Sequence, residues 1–516
     1  MSAAHVRLHP NTYVDSTLLL AASRTMQEHP GVEWAAALMA TPGNLEQLAE
    51  AGFGDPELAE AGANDLVLAV RAASEPEAER ALAAGEEALR ARVTAGSRPA
   101  GVAGRRPRTL DQALAALPGA NLALVSVPGA FAALEAEKAL SRGLHVLLFS
   151  DNVPLEAEIA LKSRALERGL LVMGPGAGTA VLGGVGLGFA NVVRRGEVGV
   201  VAAAGTGAQE VMTQLHRGGL GISHVVGVGG RDVWAQVGAP MAAAALRALE
   251  ADLQTRLLLL VSKPPAAEVA ERLLGGLGTK PAVAAFVGLE RPLAAPAGVR
   301  VTGSLEAAAL AAFELLGRPA PDLARGLARA AEERMGRLAP SRRAVRGLFS
   351  GGTLCYEAMV LLSARLGPVH SNTPLREGWG LPAPGGAHVC LDLGEEEFTR
   401  GRPHPMLDPE ARLERIRAEA DDPATAVILL DVVLGHGAHP DPAGALAPIC
   451  AEVSRRPDGP AIVVYVLGTD LDPQGYERQR RRLEEAGCLV APSGARAALL
   501  AAALAARRPA LAEEPA

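Results

Sequence analysis

GVVAAAGTGAQEVMTQL, residues 199–215, and GLFSGGTLCYEAMVLL, residues 347–362, are two versions of one pattern. In each, an apolar run suited to a buried strand stops at glycines: Gly205-Thr206-Gly207 in the first, Gly351-Gly352-Thr353 in the second. A helical pattern then begins, with a glutamate four residues after the threonine, Glu210 or Glu357. Strand, glycine turn and helix form the repeating step of a parallel α/β sheet. Finding it twice, about 150 residues apart, predicts two similar domains in one chain.

The flanking sequence extends both copies. After the first come HVVGVGG, RLLLLVS and AVAAFVG, each followed by a helix-like segment, so residues 193–317 read as one flavodoxin-like parallel-sheet domain. HVCLDLG, AVILLDVV, AIVVYVLG and CLVAPS follow the second, giving another over 346–505. Between them, 318–345 reads as a basic helical linker. Upstream, NLALVSVPG, HVLLFSD and LLVMGPG alternate with helices, predicting a Rossmann-like domain over 109–192. Its turns at 127–130, 150–154 and 173–178 fall at strand carboxyl ends, where doubly wound sheets place ligands. Residues 1–100 read as a small α/β domain of ferredoxin-like type, and the Gly/Pro/Arg-rich stretch 94–108 as a linker.

Composition narrows the function classes. The 516 residues are 49% apolar and 21% charged, a globular profile divided among several domains. Net charge is −7 and no basic run is interleaved with aromatics, so nucleic-acid binding is not expected. The N-terminus lacks a signal-peptide core and no long apolar window occurs, so a cytoplasmic chain without a membrane span is expected. Cys355, Cys390, Cys450 and Cys488 are widely spaced, which suits reduced thiols and neither zinc nor a disulfide framework.

The candidate site starts from the two glycine turns. A helix start has unpaired N–H groups and a favourable dipole for anions. Glycine lets backbone approach an anion closely, and a threonine hydroxyl either caps the helix or donates to the anion. Gly205, Thr206, Gly207, Gly351, Gly352 and Thr353 are therefore candidate phosphate or substrate contacts, aimed at one small anion across a pseudo-twofold axis. Glu210 and Glu357, read as first-turn residues, either stabilise the helix dipole or act as general base beside the anion. A third turn, Gly435-His436-Gly437, ends the strand AVILLDVV, with His439 and Asp441 close behind. Its histidines lie in a loop that fixes neither ring, so an anion-contacting loop with His436 as proton carrier is expected rather than a metal held by His436, His439 and Asp431 or Asp441. Arg402 and His404 follow another strand end and either bind an anionic group or fill a polar loop. Asn152 and Asn372, each shortly before a proline, either hold a substrate amide or carboxylate or open a turn.

These residues resemble a known group. GEVGVVAAAGTGAQEV and the closer GTLCYE are similar to the S-G-T-L-x-Y-E turn of the succinyl-CoA synthetase alpha subunit. LDLGEEEF and AVILLDVVLGHGAHPD resemble the C-terminal domain of its beta subunit, and SVPGAFA, FSDNVP and MGPGAG resemble the later part of its CoA-binding domain. YVDSTLLLAASRTMQEHPGV with GLFSGGTLCYEA resembles the FdrA family, over nearly the whole chain. The resemblance implies a succinyl-CoA synthetase-like fold: a Rossmann-like, CoA-binding-type domain, two flavodoxin-like domains and a small N-terminal domain. Three departures accompany it. The synthetases' phosphorylated histidine is missing from AVAAFVGLERPLAAPAGVRVTG, the early CoA phosphate loop is replaced, and no ATP-grasp segment exists. The resemblance further implies a carbamoyltransferase subunit of ureide breakdown, in which oxalurate and inorganic phosphate give oxamate and carbamoyl phosphate, with other subunits and an oligomeric assembly. No cofactor is certain on this reading, and CoA stays possible. The alternative is an ADP-forming acyl-CoA synthetase whose nucleotide domain lies on another chain; a third reading is a scaffold or regulatory subunit.

Overall fold

The computed structural model describes residues 3–12, 14, 16–95, 107–289, 291, 293–400 and 403–516. The chain divides into two compact units, Met1–Pro107 with Glu396–Pro403, and Arg108–Glu395 with His404–Ala516.

In the first unit, β1 (Ala3–His9), β2 (Val32–Met39) and β3 (Leu66–Ala72) form an antiparallel sheet in the order β1-β3-β2. Central β3 is apolar on both sides, LVLAVRA, because both faces are covered. Leu68 and Val70 pack with Met26 and Leu82 of the helices Ser16–Gln27 and Glu75–Ala95. Val67 and Ala69 pack on the other face with Leu48, Phe53 and Leu58. Most of the expected linker, residues 96–106, lies outside the described residues.

The second unit holds three sheets. β4 (Leu122–Val125), β5 (His145–Leu148) and β6 (Val172–Met173) make a short parallel sheet in chain order. The hairpin β7 (Thr179–Leu182) and β8 (Val185–Gly188) falls in the stretch read from sequence as Rossmann-like, yet it joins the next sheet, through Val181 opposite Val225. That sheet adds β9 (Arg195–Ala202), β10 (Ile222–Gly227), β11 (Leu257–Ser262), β12 (Ala282–Phe286) and β13 (Val299–Thr302). Its order is β13-β12-β11-β9-β10-β7-β8. The third is β14 (Ala344–Phe349), β15 (Val369–His370), β16 (His388–Asp392), β17 (Thr425–Val433), β18 (Ala461–Leu467) and β19 (Leu489–Ala491), ordered β15-β16-β14-β17-β18-β19.

The repeat shows in this order. β9 and β14 each lie inside their sheet with neighbours on both sides, so the turn leaving each sits where the chain direction switches. Strands are largely apolar because helices cover both faces; all nine residues of β17 are buried, Asp431 among them. The Ala-rich C-terminal segment forms the helix Gly494–Ala506, buried along most of its length against the second core. One buried ion network ties the β4–β6 segment to the sheet after it. Lys162, 0% exposed, donates to Glu158 at 2.7 Å and to Asp232 at 2.9 Å.

Candidate functional site

The two glycine-threonine turns meet. β9 delivers the helix Gly205–Arg217 and β14 delivers the helix Gly352–Leu366. The buried Thr353 N–H donates to the Thr206 hydroxyl at 3.1 Å, across the two similar domains. Glycine is required on both sides of this contact. A Cβ at Gly207 would lie 2.9 Å from the Thr353 methyl, and one at Gly351 would lie 2.9 Å from the Thr206 methyl. Two helix amino ends thus converge on one point, which concentrates positive dipole there.

The second helix start already holds carboxylates of this chain. Asp431, from β17, accepts Ser350 N–H at 2.8 Å and Gly351 N–H at 2.7 Å, and also the Ser350 hydroxyl at 3.0 Å. Buried Arg412 lies 3.1 Å from the same carboxylate. Asp392, at the end of β16, comes so close to Gly352 that a Cβ there would collide with Oδ2. The first start borders a cavity of about 20 Å³, walled by Gly176, Thr179, Ala204, Gly205, Gly227 and Gly229. That is room for about one water-sized group beside unpaired helix amides.

Glu210 and Glu357 are not first-turn residues. The helices begin at Gly205 and Gly352, one turn earlier than the sequence reading, so each glutamate is the sixth helical residue. The dipole reading therefore does not apply. Each carboxylate instead crosses to the other domain. Glu357 accepts the N–H of Leu305, the first residue of the helix Leu305–Leu315, at 2.6 Å. Glu210 accepts the N–H of Gly494, the first residue of the helix Gly494–Ala506, at 3.1 Å, and the Gln214 amide at 2.6 Å. A Cβ on Gly494 would lie 3.7 Å from an oxygen of each glutamate, so the two acids flank one point. Burial and the neighbouring Glu210 push Glu357 up to about 8. Glu210 is also raised by burial, against the pull of Arg217.

The remaining sequence candidates divide by what their atoms already do. His436 makes an isolated two-way backbone bridge with Ala190, its N–H donating at 2.8 Å, and its side chain is exposed. Gly435 and Gly437 have φ of 108° and 81°, and a Cβ on Gly435 would lie 2.6 Å from the Ala190 carbonyl oxygen. This turn is thus a docking point between domains. Both amide atoms of Asn372 are taken by the backbone of Asp392, at 3.0 Å each. Asn152 adopts φ 56° at an exposed turn. His404 accepts the Met406 N–H through Nδ1 at 3.2 Å, which leaves Nε2 as donor near Gly394, and burial lowers its basicity. Arg402 lies outside the described residues.

Two charged residues at the convergence escaped the sequence reading, Lys263 and Asp392; a third, Asp431, entered it only as a conceivable metal ligand. Lys263 follows the last residue of β11, with its ammonium 4.7 Å from the Tyr356 ring centre, and it is exposed. Asp392 is only 6% exposed, and burial with Glu395 nearby pushes its carboxyl up to about 7. The available signal was position: each residue ends, or lies near the end of, a parallel strand. Among the described residues, no three His, Cys, Asp or Glu side chains are placed to hold a metal. The turns at 127–130, 150–154 and 173–178 contain Asp151 and no lysine or arginine of their own, and Arg231 reaches the second of them, donating to the Val153 carbonyl at 2.7 Å. A separate cavity of about 490 Å³ opens at the amino ends of β4 and β5, lined by residues including Asn121, His145, His224 and Asp252.

The CoA-ligase family pattern matches residues 348–504, and that of the AllF heavy metal-associated domain matches residues 1–104. The latter stretch contains no cysteine, so it offers a metal no thiolate ligand. Over 96% of its length the chain is 39% identical to the uncharacterized protein YahF of Escherichia coli, covering 97% of that protein. It is 30% identical to the ADP-forming sulfoacetate-CoA ligase subunit SauD of Bilophila wadsworthia, over 34% of this chain and 61% of that one. To the alpha 2 subunit of the ADP-forming succinate–CoA ligase of Archaeoglobus fulgidus it is 29% identical, again over 34% of this chain and 61% of that one. The chain therefore spans less than two thirds of those two ligase subunits. No helix among the described residues is long and apolar enough to cross a membrane. With an AllF-type domain in front, a CoA-ligase domain behind and a relative that matches end to end, the chain belongs to the FdrA family of succinyl-CoA synthetase-like proteins.

Proposed function

We propose that this chain is the FdrA-type subunit of a carbamoyltransferase complex, interconverting oxalurate plus phosphate with oxamate plus carbamoyl phosphate. The observation that carries the reading is the Thr206–Thr353 contact, where two helix starts from two domains are aimed at one place. An anion bound there would be inorganic phosphate or the phosphate of carbamoyl phosphate. One of its oxygens would fit the water-sized space at the helix start beside Gly205, whereas Asp431 and Asp392 already occupy the Gly351 side. The missing phosphohistidine supports direct use of phosphate, because AVAAFVGLERPLAAPAGVRVTG contains no histidine to relay a phosphoryl group. Further subunits of the complex would complete the site, as the curated ligase relatives are themselves subunits.

The test mixes the purified chain, with the products of its neighbouring genes, with oxamate and carbamoyl phosphate. Phosphate release and oxalurate formation are expected. Failure with every partner would sink the proposal. ATP-dependent thioester formation from CoA would put the ADP-forming ligase reading in its place, which the CoA-ligase match over 348–504 also supports.

A further inference from the structure

We propose that Asp392 is the proton-carrying catalytic group of this site, passing one proton between phosphate and the oxamate nitrogen. The inference rests on the carbamoyl-transfer reading above and adds to it the residue that moves the proton.

The carboxyl is held rather than free. Asn372 clamps the Asp392 backbone on both sides, at 3.0 Å, and Gly394 N–H donates to Oδ1 at 3.0 Å. The other oxygen, Oδ2, has no hydrogen-bond partner among the described residues. It lies against Gly352, the residue before Thr353, and so beside the Thr206–Thr353 contact. Only glycine leaves room for it there. An acid fixed at one oxygen and open at the other, at the point where two helix starts converge, is placed to exchange a proton with a bound group.

The surrounding charges set when it carries that proton. Glu395 and Asp431 face it with like charge, Lys263 faces it from the end of β11, and Cys355 lies in the helix beside it. The His404 ring stands at Gly394, the residue that donates to Oδ1. Burial and the two acids outweigh the lysine, leaving the carboxyl at about 7, where it both gives and takes a proton near neutrality.

The step balances. A phosphate oxygen attacks the terminal carbamoyl carbon of oxalurate and a C–O bond forms. The bond from that carbon to the oxamate nitrogen breaks, its electron pair leaving on nitrogen. Protonated Asp392 supplies the proton that nitrogen needs. The proton originally on hydrogen phosphate returns to Asp392. Net, one proton moves from phosphate to nitrogen, and oxamate and carbamoyl phosphate leave.

Asp392→Asn keeps an oxygen for the Gly394 N–H and removes only the acid. In the oxamate and carbamoyl phosphate assay with the full complex, D392N should lower kcat by ~100-fold or more, with KM changed only a few-fold. The wild-type rate should show a pH limb near 7 that D392N lacks. Melting temperature is measured alongside. Should D392N prove unstable, Gly352→Ala, which pushes Oδ2 away without removing the acid, must show the same selective loss of kcat. An active wild type with D392N within about threefold of it, or with the pH limb retained, overturns this inference and leaves the carbamoyl reading standing. A wild-type complex inactive on these substrates removes both.

Discussion

Thr206 shows how one side chain serves two domains. Its hydroxyl oxygen is the acceptor for a buried amide of the second helix, Thr353 N–H at 3.1 Å. Thr206→Val keeps the shape and deletes the acceptor, so it should cost about 1–3 kcal/mol, read as a lower melting temperature, while Thr206→Ser should stay near wild type. Glu357 makes a pH-dependent prediction. Its folded pKa, about 8, lies above the ordinary 4.5, so the folded chain holds a proton that the unfolded chain releases. Stability from this group is full below the ordinary value and is lost as pH rises towards about 8. Glu357→Gln mimics the protonated acid and still accepts the Leu305 N–H. Melting curves should therefore show the wild type losing ground to E357Q between about pH 5 and about pH 8. A constant difference across that range would contradict the burial argument.

At the scale of elements, the repeat is a reciprocal capping system. The helices Leu305–Leu315 and Gly494–Ala506 begin at Ser304 and Ser493, whose hydroxyls accept the N–H of Ala307 at 3.1 Å and of Arg496 at 3.0 Å. A glutamate from the opposite domain takes the next free amide of each. Buried Arg496 also pairs with Glu306 of the partner helix. Arg496→Ala leaves Glu306 buried and uncompensated, so it should lower stability by about 3–5 kcal/mol. Ser304→Ala should cost about 1 kcal/mol, and urea titration separates the two magnitudes. The helices themselves were legible in sequence, because apolar strand and glycine turn announce them. Their first residues were not. Gly205 and Gly352 are poor helix formers, yet both lie inside the helix in the folded chain. That one-turn shift carried Glu210 and Glu357 from the anion site to the interface.

At the scale of the whole molecule, the two sheet domains are bound by many buried polar links. Asn191 donates to the Leu434 carbonyl at 2.9 Å and to Asp472 at 2.8 Å, and Thr469 donates to the Val192 carbonyl at 2.6 Å. Arg217 donates to Tyr476, Tyr465 and the Pro492 carbonyl. An isolated half would expose these groups to water together with the apolar side chains packed across the same interface, Phe189 and Tyr356 among them. Residues 108–343 and 344–516 expressed as separate chains should therefore copurify, and either half alone should aggregate; independent soluble halves would show the interface to be dispensable. Sequence alone determined most of the parallel strands and the helices after them, the duplication and the family, because hydrophobic period and glycine turns are local signals; the hairpin β7–β8 and the strands β13 and β15 were not legible in it. It also determined that Thr206 and Thr353 were the residues to watch. Only the tertiary structure decided what faces them. Asp431, Asp392 and Lys263 reach the convergence from three different strand ends, and no local pattern records which strand ends a sheet order brings together. Proximity across domains depends on that order and on close packing, which are properties of the folded chain.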